Sequence, residues 1–253
     1  MRSRIAINPA TDALLVTDAT RTFMDAHEWC GIRFRAGGLP VQDGAGILPV
    51  ILDIAPFFGD AIDMCEDEHG FGHISLYSSY SGITPFTVLT PEMVAGWGEN
   101  NVASPHFDLP YLRWYLANCI GRRQTTWTNH GLPHWQETRI HPALRGLTFR
   151  HTLVKGTDPK CDSYSPYVDN LNRTTGLGAR QRASGTKRVF HVGLAKDVCG
   201  GLAALHAKVK EGFESYLIDD GMRSTGIPGL EDDMLAQLKA AGVPIIESGD
   251  LVG

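Results

Sequence analysis

Short apolar runs alternate with amphipathic stretches along this chain, and few folds accommodate that order. Residues 13–17, 61–64, 149–154, 188–193, 216–218 and 243–246 read as strands. Residues 44–58, 198–213 and 230–241 lie between them with helical spacing. Strands separated by helices cannot pair as tight hairpins, so they pair in parallel and the crossover helices cover both faces of the sheet. The expected fold class is therefore α/β, a mostly parallel central sheet with helices on both faces, in three layers α/β/α.

Two of the helices can be checked by spacing. Leu202, Leu205 and Val209 fall at i, i+3 and i+7, and Met234, Leu235 and Leu238 form a similar stripe. Gly242 stands where a left-handed residue ends the last helix. Pro49 suits the first turn of the helix in 44–58, where its missing N–H costs nothing. Residues 82–124 break the alternation and carry Pro85, Pro91, Pro105 and Pro110. Asp108 before Pro110, and Thr90 before Pro91, are helix starts within it. The chain reads as one domain, residues 1–253, with a partly helical insertion at about 82–124 that is either a lid or an oligomer contact.

Hydrophobic residues make up 43% and charged residues 20% of the 253, enough for a sizeable core. A formal charge of −5 supplies no basic face for nucleic acid or an anionic membrane, so a small molecule is the expected partner. Cys30, Cys65, Cys119, Cys161 and Cys199 are odd in number and never form a CxxC pair, which points to free thiols in a reducing, cytoplasmic compartment. The first residues lack the apolar stretch of a secretory signal, and no run of about 18 apolar residues could span a bilayer.

Cys199 follows one strand and begins one helix, where a thiol meets the positive end of the helix dipole. By itself it reads first as a small buried hydrophobe. Asp18 emerges at the end of the first strand, where a carboxylate is costly unless paired; base, metal ligand and helix cap are its possible roles. Lys155 ends another strand and could pair with Asp18 and lower the pKa of a nearby thiol. An acid, an amine and a thiol at three sheet ends are the parts of a cysteine acyl-transfer site. Asp67 and His69, two apart on extended backbone, can grip one Zn²⁺, Fe²⁺ or Mn²⁺ ion. Gly70 and Gly72 argue against a helical His69/His73 pair, so a third ligand must come from elsewhere, and ten histidines offer many candidates.

Taken together these segments resemble the nicotinamidase and pyrazinamidase branch of the isochorismatase-like cysteine hydrolases. Residues 13–23 resemble the family's opening strand, with Asp18 at the catalytic aspartate and Phe23 at a ring-contacting position. Gly37-Gly38-Leu39-Pro40-Val41 matches the loop before the first helix, and residues 67–75 resemble the Asp-x-His metal motif with its trailing His-x-Ser. Residues 127–130 are similar to the family's Trp-Pro-x-His, which puts His130 third in the metal set. Lys155-Gly156 and the downstream Asp162-Ser163-Tyr164-Ser165 match the catalytic lysine strand and its loop, and residues 193–199 resemble the nucleophile motif with its cis peptide, here Leu194–Ala195.

The resemblance implies hydrolysis of nicotinamide to nicotinate and ammonia in NAD salvage, through a Cys199 thioester. Asp18 and Lys155 would assist, and the amides of Ala195 and Cys199 would form the oxyanion hole. Phe23, Trp127 and Tyr164 would contact the ring, and one divalent transition metal, zinc first and iron or manganese next, would sit on Asp67, His69 and His130. His73 is either a fourth ligand or a more distant neighbour. A homo-oligomer is expected. The alternative is a related amidase acting on another small amide or ureido compound. The chain departs from the family in Ala-Thr-Arg-Thr after Asp18, in Gly200 after the nucleophile, and in the longer insertion.

Overall fold

The structure, a computed structural model, describes residues 4–253. Six strands form the central sheet: β1 (Asp12–Thr17), β2 (Ile62–Asp67), β3 (His151–Lys155), β4 (Arg188–Leu194), β5 (Glu214–Arg223) and β6 (Ile245–Ile246). Their order across the sheet is β6-β5-β4-β1-β2-β3, and every pairing is parallel. The chain runs outward from β1 in one direction through β2 and β3, then returns to β1's other side with β4. Such a reversal leaves a crevice beyond the carboxyl ends of β1 and β4, the usual ligand site of doubly wound sheets.

Both faces of β1 are covered, so all six of its residues are buried. Leu14 and Val16 pack with Phe190 and Val192 on Ile47, Ile51 and Ile54 of helix α1 (Ile47–Phe58). Leu15 and Val189 face the opposite layer, against Ala203 and Ala207 of helix α2 (Cys199–Val209). Pro49 does lie in the first turn of α1. Helix α3 (Leu230–Ala240) buries Met234 and Leu238 as the spacing predicts, and Gly242 turns the chain at φ 70°.

Three expectations are corrected. The stripe Leu202, Leu205, Val209 is not the buried face of α2: Val209 is 54% exposed, and the sheet-facing side is Gly200, Ala203, Ala204 and Ala207. Small residues let the helix backbone sit close. A Cβ on Gly201 would come within 2.2 Å of the Lys196 carbonyl oxygen and 2.5 Å of Met234 Cγ. The helix also stops at Val209, since Gly212 (φ 77°) redirects the chain before Phe213. Finally, β2 and β5 outrun their apolar cores. β2 continues through charged Glu66 and Asp67, and β5 passes a register shift between Leu217 and Met222. There Asp219 pairs with Lys196 (3.0 Å) and Asp220 accepts the Ser248 N–H (2.8 Å).

Residues 82–124 hold two α-helices, Pro91–Val94 and Leu109–Asn118, at the predicted starts. Thr90 accepts from the Met93 N–H (3.3 Å) and Asp108 from the Tyr111 N–H (2.9 Å). This segment packs around its own apolar cluster, which includes Leu89, Leu112 and Tyr115. Among the described residues no helix is long and apolar enough to cross a membrane.

Candidate active site

Four adjacent strands deliver the candidate chemistry to one end of the sheet. Asp18 follows β1, Asp67 ends β2, Lys155 ends β3, and the turn 195–199 leads from β4 into α2. The tips of β1 and β4 approach closely. A Cβ at Gly193 (φ 121°) would lie 1.8 Å from the Thr17 carbonyl oxygen, so only glycine fits there. Asp18 itself is left-handed at φ 51°, a region that aspartate tolerates better than most residues.

Lys155 is the hub. Its Nζ lies 3.0 Å from Asp18 Oδ2, 2.8 Å from Asp67 Oδ1 and 3.5 Å from Cys199 Sγ, and all four side chains are buried. Burial alone would lower the lysine pKa, but Asp18 and Asp67 hold it well above its ordinary value. Asp67 stays well below the usual carboxylate range despite its burial, because His69 and Lys155 face it. Burial moves Asp18 the other way, up to about 7, with Lys155 opposing and Asp67 reinforcing. The expectation of a lowered thiol pKa at Cys199 is corrected. Burial pushes the thiol well above its ordinary range, and Lys155 offsets only part of this. A buried thiol that keeps its proton needs a base, and Asp18, which shares Lys155 Nζ with Cys199, is the candidate.

Beyond Lys155, the other oxygen of Asp67 faces two imidazoles, with Oδ2 2.8 Å from His69 Nε2 and 3.5 Å from His130 Nε2. The far nitrogens decide whether these groups suit a metal. His69 Nδ1 lies 3.2 Å from the Gly156 carbonyl oxygen and His130 Nδ1 2.7 Å from that of Thr128. A carbonyl can only accept, so each Nδ1 carries a hydrogen, and each Nε2 turns inward toward Asp67, where it offers a lone pair once its own proton is gone. These two nitrogens and a carboxylate oxygen converge in a buried space, where a proton on His69, whose pKa Asp67 raises against the effect of burial, or a bound cation in its place relieves the repulsion. The donor set therefore fits a divalent transition ion, with the carbonyls fixing the ligand tautomers.

His73 differs. Its Nδ1 accepts the Ser75 N–H (3.2 Å) and lies 2.8 Å from Ser75 Oγ, which places the hydrogen of a neutral ring on Nε2. His73 forms a second buried group of possible ligands with His69 and Asp162, and its Nε2, without a partner among the described residues, would have to give up this hydrogen to join them.

The cavity above Cys199 gathers the sequence-predicted residues Phe23, Asp67, His69, Trp127, His130, Lys155, Tyr164 and Ala195. Phe23 meets His130 edge-on with ring centroids 5.6 Å apart, and Trp127 meets Tyr164 at 6.2 Å. The peptide Leu194–Ala195 is cis, as the resemblance implied. Within the turn, the amides of Val198 and Gly200 both bond the Ala195 carbonyl and that of Lys196 bonds Arg223 O, leaving the amides of Ala195, Asp197 and Cys199 outside this set. Sequence reasoning missed Leu39, Val41, Asp162, Val198 and Thr225 as wall residues. Four of them carry no distinctive chemistry, and Thr225 comes from a loop after β5 that no motif marks. Asp162 stood in a quoted motif, and its isolated charge was the available signal.

No family model matches the chain. Among curated proteins it is 28% identical over 217 residues to the nicotinamidase of Acinetobacter baylyi, covering 85% of this chain and 87% of that one. It is 27% identical to the nicotinamidase of Escherichia coli, covering 86% and 91%. Among solved structures it is similar to an Acinetobacter baumanii nicotinamidase/pyrazinamidase (TM-score 0.76, 26% identity, 96% and 99% covered). The pyrazinamidase of Pyrococcus horikoshii, solved in complex with zinc, shares the fold (TM-score 0.60, 24%, 93% and 98% covered). So does an isochorismatase-like hydrolase of Alkaliphilus metalliredigens (TM-score 0.53, 15%, 96% and 94% covered).

Proposed function

We propose that this relative of the nicotinamidases, with its isochorismatase-like fold, is a cysteine amidase that hydrolyses nicotinamide to nicotinate and ammonia, a step of NAD salvage. The observation that carries the reading is Lys155 Nζ reaching Asp18, Asp67 and Cys199 at once, beneath a cavity whose wall holds His69 and His130. Asp18 takes the proton of the Cys199 thiol, and Lys155 balances the negative charge that remains in the buried cluster. The thiolate attacks the amide carbon, and the N–H groups of Ala195 and Cys199 are the candidates to hold the oxyanion, a contribution typically of about 3 kcal/mol. Asp18 returns its proton to the departing nitrogen, ammonia leaves, and Asp18 then deprotonates the water that resolves the thioester.

Phe23, Trp127 and Tyr164 form aromatic walls that suit a flat ring. Asp67, His69 and His130 would hold a divalent transition ion, zinc in first place and iron or manganese next, which would supply a Lewis-acid site that suits a ring amide with a basic nitrogen better than a linear one. His73 is assigned a hydrogen-bonding role beside the ligands. The zinc complex of the Pyrococcus relative is consistent with this choice.

The test is ammonia release from nicotinamide by the wild type and by Cys199→Ala. Release by the wild type alone is expected; equal release by both removes the nucleophile assignment, and none from either removes the substrate.

A further inference from the structure

A buried amide outside the cavity holds three of its wall groups. Gln124, the last residue of the 82–124 segment, is fully buried and does not line the cavity. Its Nε2 lies 2.8 Å from Asp162 Oδ2, 2.9 Å from the Tyr164 hydroxyl and 2.9 Å from the Thr125 carbonyl oxygen, three acceptors around its two hydrogens. The Tyr164 hydroxyl in turn accepts the Trp127 Nε1–H at 3.2 Å. On the other side Gln124 Oε1 accepts from the Tyr115 hydroxyl (2.7 Å) and from Asn170 Nδ2 (3.4 Å). The amide cannot turn over: a carboxylate only accepts, so the NH2 must face Asp162 and the oxygen must face Tyr115.

Asp162 makes this arrangement consequential. It is 1% exposed, and its hydrogen bonds come from an amide side chain and a backbone N–H rather than from a lysine or arginine. Besides Gln124, the Ser163 N–H meets its Oδ1 at 2.7 Å. The His69 and His73 imidazoles lie close to it as well, but its hydrogen bonds come from Gln124 and Ser163, and a buried carboxylate is sensitive to the loss of either. Tyr115 stands on the helix Leu109–Asn118, away from the cavity, so a polar chain runs from that helix through Gln124 to the ring-facing wall.

We infer that Gln124 is a positioning residue that fixes Asp162, Tyr164 and, through Tyr164, Trp127, so that the 82–124 segment sets how tightly a planar ring is held. The inference rests on the ring-amide reading above. It also gives the segment a role as a buttress behind the cavity.

The experiment compares steady-state hydrolysis of nicotinamide by the wild type, Gln124→Leu, Tyr115→Phe and the double variant. Gln124→Leu is expected to raise KM by about fivefold or more, the loss of one or two hydrogen bonds, with kcat within about twofold. Tyr115→Phe keeps every ring carbon, should fold normally, and is expected to raise KM by a smaller factor of about two to three. In the double variant the effects should not multiply, because both act through one amide. An unchanged KM in Tyr115→Phe and Gln124→Leu overturns the inference, as does a loss confined to kcat or a strictly multiplicative double variant. If the wild type hydrolyses no ring amide, the functional reading fails separately. A crystal structure of Gln124→Leu then decides this inference: displaced Tyr164 and Trp127 rings support it, and unmoved rings refute it.

Discussion

Gly156 follows the hub lysine and faces the metal candidates, which makes Gly156→Ala a sharp probe of that cluster. The backbone there has φ 74°, and an added Cβ would lie 2.6 Å from His69 Cε1, 2.8 Å from His69 Nδ1 and 2.9 Å from Asp67 Oδ1. Two penalties add. Left-handed alanine costs about 1 kcal/mol, and forcing a methyl into packed surroundings costs about 1–3 kcal/mol more. The clash cannot be relieved by a flexible chain end, because the imidazole is held between the Gly156 carbonyl and Asp67. The ring must turn away, so affinity for the ion should fall by about 10–100-fold, the usual effect of disturbing a ligand's support. Gly242→Ala is the control: φ is 70°, but nothing lies within 4 Å of the new Cβ, so it carries only the backbone penalty. The assay is competition of each protein with a chelator for zinc, alongside thermal unfolding. Wild-type zinc affinity in Gly156→Ala would refute the reasoning, and so would an equal drop in Gly242→Ala.

Removing metal with a chelator should abolish nicotinamide hydrolysis and zinc, iron or manganese should restore it; activity that survives chelation favours an amidase for non-ring substrates. Because Asp18 is raised to about 7 and only its ionised form can take the thiol proton, kcat/KM should climb as pH rises through about 7; a flat profile from pH 5 to about 8 contradicts this. His191 is fully buried, with neither ring nitrogen hydrogen-bonded among the described residues, and burial lowers its pKa from 6.5 to about 3. The unfolded chain therefore binds the extra proton below pH 6.5, so stability is full above that pH and falls toward pH 3 by about 1.4 kcal/mol per unit. His191→Leu should flatten the acid side of a plot of unfolding free energy against pH, and an unchanged slope would contradict this.

The parallel sheet and its helices were legible because continuous apolar runs and helical spacing are local signals. The face of α2 was not. Large residues at i, i+3 and i+7 suggested burial, whereas close approach to the sheet selects the glycine and alanine side. The length of β5 was hidden by Asp219 and Asp220, whose charges are met by Lys196 and Ser248, partners far along the chain. At the site, Asp18, Lys155 and Cys199 were legible from their places at strand ends. His130 needed the resemblance, since a single histidine carries no spacing signal. Thr225 and Gln124 were invisible because their roles exist only once distant segments meet.

The central claim is that Cys199 forms a thioester with a ring amide. Protein quenched in acid during nicotinamide turnover and mapped by peptide mass spectrometry should carry a nicotinoyl group on Cys199. The other four cysteines should be unmodified, and the adduct should be absent from Asp18→Asn. Sustained turnover with Cys199 unmodified, or in Cys199→Ala, would contradict the account.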